Sequence, residues 1–278
     1  MRQASRALLG ACSRRRGLSS TAGEEGSLVW SQLQHEAQAA LKTPAFSRFG
    51  MGKFLEREVL ARASLADALS HLCGAKFEAN DSETHVRYEE LLRHAFTADP
   101  ALPDAAAADL NRFLVVDPAS EGVLGVFLFF KGFQAVQCAR AANYFWREAN
   151  GEGRMIAKLL QSEMADVYGV DIHPGARFGR GITIDHATGV VIGETAVIGD
   201  DVYLMHDVTL GATGKAPEHD RHPKIGDGCL LGAAATVLGN IEVGDRAIIA
   251  ASAVVNKPVP PGYTAVGVPA RLIPPKTG

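Results

Sequence analysis

The sequence predicts an α+β protein, with an N-terminal all-helical region followed by a parallel β-helix of hexapeptide repeats. Two observations predict it. Before Asp171 the apolar residues follow helical spacing; after it, an aliphatic or aromatic residue returns every sixth position. The chain divides into residues 1–23, a helical part over 24–170, a repeat part over 171–260 and a C-terminal segment over 261–278.

Residues 1–23 belong to neither part. They hold five arginines (Arg2, Arg6, Arg14, Arg15, Arg16), four serines and no acid, the composition of an organellar transit peptide. "RRRGLSS" has the character of a mitochondrial cleavage region; a plastid address is the alternative, and the cytosol if the segment is no leader. Without this segment Lys+Arg drops from 28 to 23 against 31 acids, a net charge of −8. A chain that acidic is a poor nucleic-acid binder. The longest apolar run, Gly122 to Phe130, is too short to span a bilayer. The cysteines, at 12, 73, 138 and 229, have no paired spacing, so neither a disulfide framework nor a zinc knuckle is expected.

Over 24–170, "RMIAKLLQSEMADV" sets Met155, Ile156, Leu159, Leu160, Met164 and Val167 on one helical stripe. Leu128 to Trp146 carries a similar face through Phe133 and Val136. Ser64 and Asp81 are expected helix caps, and "DPA" at 99–101 and 117–119 marks breaks. The region reads as a helical bundle or array.

The repeat occupies 172, 178, 184, 190, 196, 202 and 208, then 225, 231, 237, 243, 249 and 255, and every one of these residues is apolar. Neither a helical nor a strand period produces a strict six. Hexapeptide repetition is the signature of a parallel β-helix, in which three short strands and three corners make one triangular coil of about 18 residues. Gly179, Gly226, Gly232 and Gly244 follow repeat positions and suit places where a Cβ would crowd. Between the two runs, residues 214–224 ("GKAPEHDRHPK") are extruded. Lys215, Glu218, His219, Asp220, Arg221, His222 and Lys224 make this loop dense in ionisable groups, as befits a functional excursion from a rigid scaffold.

Asp185 and His186 follow the inward-facing Ile184. Counting by eighteen puts Asp171 under Gly189, near the same corner, where its carboxylate would hold one imidazole nitrogen and leave the other as a base. Asp117, before Pro118, reads from composition as a turn or cap residue. Lys215 in "GATGK" lacks the glycine spacing of a Walker loop.

"DIHPGARFGRGITIDHATGVVIGETAVIGDDV", "VTLGATGK", "DRHPKIGDG", "LGNIEVG" and "PVPPGYTAVGVPARLI", with "DPAS" and "FFKGFQAVQCARAANYFWRE" upstream, resemble the serine O-acetyltransferase family over roughly residues 27–273. The resemblance implies a left-handed β-helix, acetyl-CoA as co-substrate, L-serine as acceptor and no metal. It implies His186 as general base oriented by Asp171, and Asp117 and Asp185 on the substrate's ammonium and hydroxyl ends. Arg221 and His222 would grip its carboxylate, with Glu194 close to the site. The pantetheine arm would run along Ala212, Thr213, Ala233 and Ala251. Homotrimers are implied, with sites between subunits, pairing into hexamers.

The chain departs from the family at "GAAA" (232–235) and "AAS" (250–252), where Ala234 and Ala250 add methyls. It departs also at Thr236 and Ile248, where relatives often carry lysine. The isoleucine tail that docks into O-acetylserine sulfhydrylase is not found, so that complex is not expected. Three other readings compete. They are another O- or N-acetyltransferase of the same fold, a γ-type carbonic anhydrase with zinc on His186, His206 and His222, and a scaffold without CoA affinity.

Overall fold

The computed structural model describes residues 24–81, 83, 85–148, 151–214 and 219–275. Residues 1–23, and Lys215 and Glu218 of the extruded loop, lie outside them.

The first part folds as helices α1 (Glu24–Leu41), α2 (Pro44–Arg48), α3 (Met51–Leu55, continued by a π-turn over Glu56–Leu60), α4 (Leu65–Asn80) and α5 (Tyr88–Ala98). There follow α6 (Ala101–Val116), α7 (Val123–Phe129), α8 (Lys131–Arg147) and α9 (Gly151–Tyr168). The Ser64 hydroxyl caps α4 by accepting the Asp67 N–H at 3.2 Å. Asp81 caps the other end of α4, its N–H donating to the Phe77 carbonyl. The two "DPA" segments break the chain as expected, Asp99 ending α5 and Asp117 ending α6. One expectation fails: Met155 is exposed, because the buried face of α9 runs through Gly153, Ala157, Leu160, Met164 and Tyr168.

The second part is a parallel β-helix with three faces. The first holds β1 (Asp171–Ile172), β4 (Val191–Ile192), β7 (Thr209–Gly211), β10 (Thr236–Leu238) and β13 (Val254–Val255). The second holds β2 (Arg177–Phe178), β5 (Val197–Ile198), β8 (Lys224–Ile225) and β11 (Glu242–Val243). The third holds β3 (Thr183–Ile184), β6 (Tyr203–Leu204), β9 (Leu230–Leu231), β12 (Ile248–Ile249) and β14 (Thr264–Val266), closed by the antiparallel β15 (Arg271–Ile273). Gly232 follows β9 because a Cβ there would stand 2.6 Å from the Ala251 nitrogen of the next coil.

The register corrects the sequence reading. From 192 to 210 the strand residues that point inward are Ile192, Ile198, Leu204 and Leu210, two beyond the predicted set. The first coil therefore advances by 20 residues (Ile172 over to Ile192), and Asp171 pairs with Val191 rather than lying under Gly189. The extra pair falls at the corner that contains His186 and Ala187, both in the left-handed region at φ 59° and 60°. Leu204 pairs with Leu231, an advance of 27, so the loop inserts nine residues into the eighteen-residue coil instead of eleven.

The helical part grips the first coil through buried polar contacts. Asp109 of α6 accepts the Ile182 N–H at 2.7 Å and pairs with Arg140 of α8, whose other nitrogen donates to the Gly179 carbonyl. Asn143 donates to the carbonyls of Pro174 and Ala176. Gly132 lies so close to β3 that an added Cβ would land on the Ile184 carbonyl oxygen, one residue before Asp185. A buried ion pair that also satisfies backbone groups loses several kcal/mol of compensation if one partner is removed. The corner bearing His186 thus rests on a braced strand.

Candidate active site

Every strand of the first face lies between two corners. The upstream corner, reached from the third face, contains Asp185 and His186, then His206 one coil higher, then Ala233, Ala234, Ala250 and Ala251. The downstream corner, leading to the second face, contains His173, Glu194 and Thr195, Ala212 and Thr213, and the loop with Arg221 and His222. The predicted residues therefore fall into two groups.

At the upstream corner the His186 side chain is 70% exposed, and its Nε2 lies 3.6 Å from Asp185 Oδ2. That Asp185 oxygen accepts the Tyr203 hydroxyl at 2.9 Å. Burial and the Asp185 carboxylate push the Tyr203 phenol up, so it stays a donor and fixes the acid's orientation. The His206 ring stands edge-on to His186 with centroids 5.7 Å apart, and its Nδ1 is buried without a partner. The sequence did not single out His206 for this corner. The signal was its offset: it follows the inward Leu204 by two, as His186 follows Ile184. Lys131 of α8 reaches in to donate to the Thr188 hydroxyl at 2.5 Å. Asp117 accepts the Ala119 N–H and the Ser120 hydroxyl, the turn role that composition suggested, while its charge faces Tyr203.

Asp171 is not hydrogen-bonded to His186. Its Oδ1 accepts from Gln161 Nε2 at 2.6 Å, while its backbone N–H donates to Val190 at the end of the upstream corner. Asp171 itself pairs in register with Val191, the residue that directly follows that corner.

The downstream corner is built differently. His222 is 6% exposed, and its Nδ1 accepts from the Thr195 N–H at 3.1 Å and lies 2.9 Å from the Thr195 hydroxyl oxygen. A backbone amide only donates, so Nδ1 is unprotonated and Nε2 carries the hydrogen. Burial, helped by Arg221, holds the His222 pKa below its ordinary value, which keeps this tautomer neutral. The ring occupies the space that a Cβ on Gly193 would need. Arg221 pairs with Glu194 at 3.4 Å and is itself exposed. This corner offers a fixed N–H donor and a guanidinium, a set suited to a carboxylate. Among the described residues no three His, Cys, Asp or Glu side chains gather as a metal site, and no helix is long and apolar enough to cross a membrane.

A parallel coil of paired hexads, with an exposed histidine at one corner and a buried histidine beside an arginine at the other, places the chain among the hexapeptide-repeat transferases. Residues 222–257 match the family model "Bacterial transferase hexapeptide (six repeats)", and residues 29–138 match "Serine acetyltransferase, N-terminal". The serine acetyltransferase of Salmonella typhimurium is 41% identical over 250 residues, 90% of this chain and 88% of that protein. A probable serine acetyltransferase 4 of Oryza sativa subsp. japonica is 48% identical over 251 residues, 90% and 77% of the two chains. Among solved structures, soybean serine acetyltransferase complexed with serine superimposes with a TM-score of 0.81 at 46% identity, covering 90% of this chain and 99% of that one. A serine acetyltransferase in complex with CoA gives 0.80 at 40%, covering 89% and 100%. The chain belongs to the serine acetyltransferase family, and its coil is the left-handed hexapeptide β-helix of that fold.

Proposed function

We infer that this enzyme transfers the acetyl group of acetyl-CoA to the hydroxyl of L-serine, giving O-acetyl-L-serine and CoA, the first step of cysteine biosynthesis. The observation that carries the reading is the pairing of an exposed imidazole beside a carboxylate with a buried imidazole beside a guanidinium. In this reading Nε2 of His186 takes the proton as the serine oxygen attacks the acetyl carbonyl. The tetrahedral intermediate then expels the CoA thiolate, which recovers the proton from His186. Asp171 orients His186, Asp185 and Asp117 hold the ammonium and hydroxyl ends, and Arg221 with His222 Nε2–H binds the carboxylate. Glu194 keeps Arg221 in place. His222, a fixed neutral donor, also suits the developing oxyanion. The pantetheine arm follows Ala212, Thr213, Ala233 and Ala251. Thiol release from acetyl-CoA with a panel of small hydroxyl and amine acceptors tests this. Serine should be preferred, and a preference for a sugar hydroxyl would overturn it.

One site needs two copies of the chain. A first-face hexad of extended chain is roughly 20 Å long at about 3.3 Å per residue, and serine is far too small to bridge it. The upstream corner of one subunit therefore meets the downstream corner of the next, in a homotrimer that pairs into a hexamer. Val191, Leu230 and Ile248, apolar and exposed on the first and third faces, support burial between copies. Light scattering on the purified enzyme tests the assembly.

The arginine-rich, acid-free composition of residues 1–23 supports import into an organelle, the mitochondrion being our proposal. A reporter carrying these residues that stays cytosolic or enters plastids would refute it.

A further inference from the structure

We propose that Gln161, oriented by Lys158, is a positioning residue for the reaction: it holds the Asp171 carboxylate so that one oxygen is left for His186. The inference rests on the reading that Asp171 orients the base.

Both residues project from α9, outside every repeat and loop the chemistry uses. Gln161 Nε2 donates to Asp171 Oδ1 at 2.6 Å, and Lys158 Nζ donates to Gln161 Oε1 at 3.1 Å. The amide could be turned either way by shape alone, but its neighbours leave one choice. An ammonium has only donors, so it must face the amide oxygen; an ionised carboxylate has only acceptors, so it must face the amide NH2. Lys158 thereby fixes the orientation of Gln161, and Gln161 fixes one oxygen of Asp171. Lys158 is itself held over the Trp146 ring, its Nζ 5.5 Å from the centroid.

A free carboxylate rotates and presents either oxygen. One already engaged by an amide N–H is tied down at that oxygen and presents the other in a set direction. The Asp171 backbone N–H donates to the Val190 carbonyl, so the residue itself stands at the end of the corner that His186 occupies. The charged and titratable groups around the pair are few. Lys158 comes from α9 and His173 from the same coil as Asp171, with Glu194 and His222 beyond His173. Asp185 and His206 face His186.

The test uses the full-length assembled enzyme and pH profiles of kcat and kcat/KM for serine. Gln161→Leu should lower kcat roughly tenfold, the worth of one oriented hydrogen bond to a charged group, with KM for acetyl-CoA unchanged. Gln161→Glu puts a second carboxylate beside Asp171, which favours the protonated imidazole. The acid limb of the profile should then move to higher pH by about one unit. Lys158→Met should cost a few-fold, and nothing further once Gln161→Leu is present. Asp171→Asn is the control, and Gln161→Leu added to it should cause no additional loss. An unshifted acid limb in Gln161→Glu, with Asp171→Asn strongly impaired, overturns the role of Gln161 alone. An Asp171→Asn enzyme with wild-type rates and profile overturns the orienting role of Asp171, and the inference with it.

Discussion

Two histidines at neighbouring corners of one solenoid are held in opposite ways. His186 stands 70% exposed on a left-handed backbone, beside the Asp185 carboxylate and the His206 ring. His222 is buried, its Nδ1 taken by Thr195 and its ring pressed on Gly193. Both occur where the six-residue rhythm breaks, the first at a two-residue insertion and the second beside a nine-residue one. Regular coils stack apolar side chains and satisfy their own backbones. The breaks carry the two candidate histidines, and the helices brace the coil that holds the first of them.

The largest expected effect follows from the exposed histidine. His186→Ala should lower kcat by roughly two to four orders of magnitude while the protein stays folded, as expected for removal of a general base at an exposed corner. Thiol release and circular dichroism together check it. If each site draws one corner from each of two subunits, mixing that variant with inactive Arg221→Ala protein should restore activity. Random assembly gives roughly a quarter of the sites both intact corners. Absence of recovery after verified subunit exchange would return both corners to one chain.

The buried histidine makes a different prediction, because its position depends on a missing side chain. Gly193→Ala places a methyl where the His222 ring lies, so the ring must move. We expect about a hundredfold loss of kcat/KM for serine, comparable with His222→Ala, and little change in KM for acetyl-CoA. Wild-type kinetics for Gly193→Ala would show that ring placement is unimportant.

Acidity should separate the corners again. His222 and His173 both have pKa values held below the ordinary 6.5, chiefly by burial and then by Arg221 and Lys158 respectively. The unfolded chain therefore binds protons at these sites more readily than the folded one. Their contribution to stability is complete above about pH 6.5 and is lost as pH falls through the lower folded values. Thermal melts from pH 7.5 to 5 should show falling Tm, and His222→Gln should flatten part of that slope.

The sequence made the solenoid readable but hid its phase, and the reason is geometric. Each hexad points two residues inward, the strand residue and the one two before it, so Val190 and Ile192 are both buried and both aliphatic. A two-residue slip exchanges one inward set for the other without exposing anything, and apolar spacing cannot detect it. The site was legible where residues break the rhythm, as at Asp185-His186 and Arg221-His222. Gln161 was not, because its role depends on α9 packing beside β1, and no spacing within the repeats encodes that. Met155 was misread for a related reason: the apolar residues of α9 spread wider than the stripe its neighbours cover.

The smallest predicted effect concerns a departure from the family's corner pattern. Ala234 lies in the left-handed region at φ 58°, at the upstream corner, exposed and within a turn where the resemblance to the family implies glycine. An L-residue there pays a Cβ–carbonyl clash worth about 1 kcal/mol, which glycine avoids. Glycine also loses more entropy on folding, which offsets part of the gain. Ala234→Gly should therefore raise stability by a net few tenths to about 1 kcal/mol in urea titrations, with an unchanged m-value. Removing the methyl also widens the approach to Ala233 and Ala251, so KM for acetyl-CoA should fall or hold steady. A destabilised variant with weaker acetyl-CoA binding would mean that the alanine is packed to advantage, and that this chain's corner has been rebuilt around it.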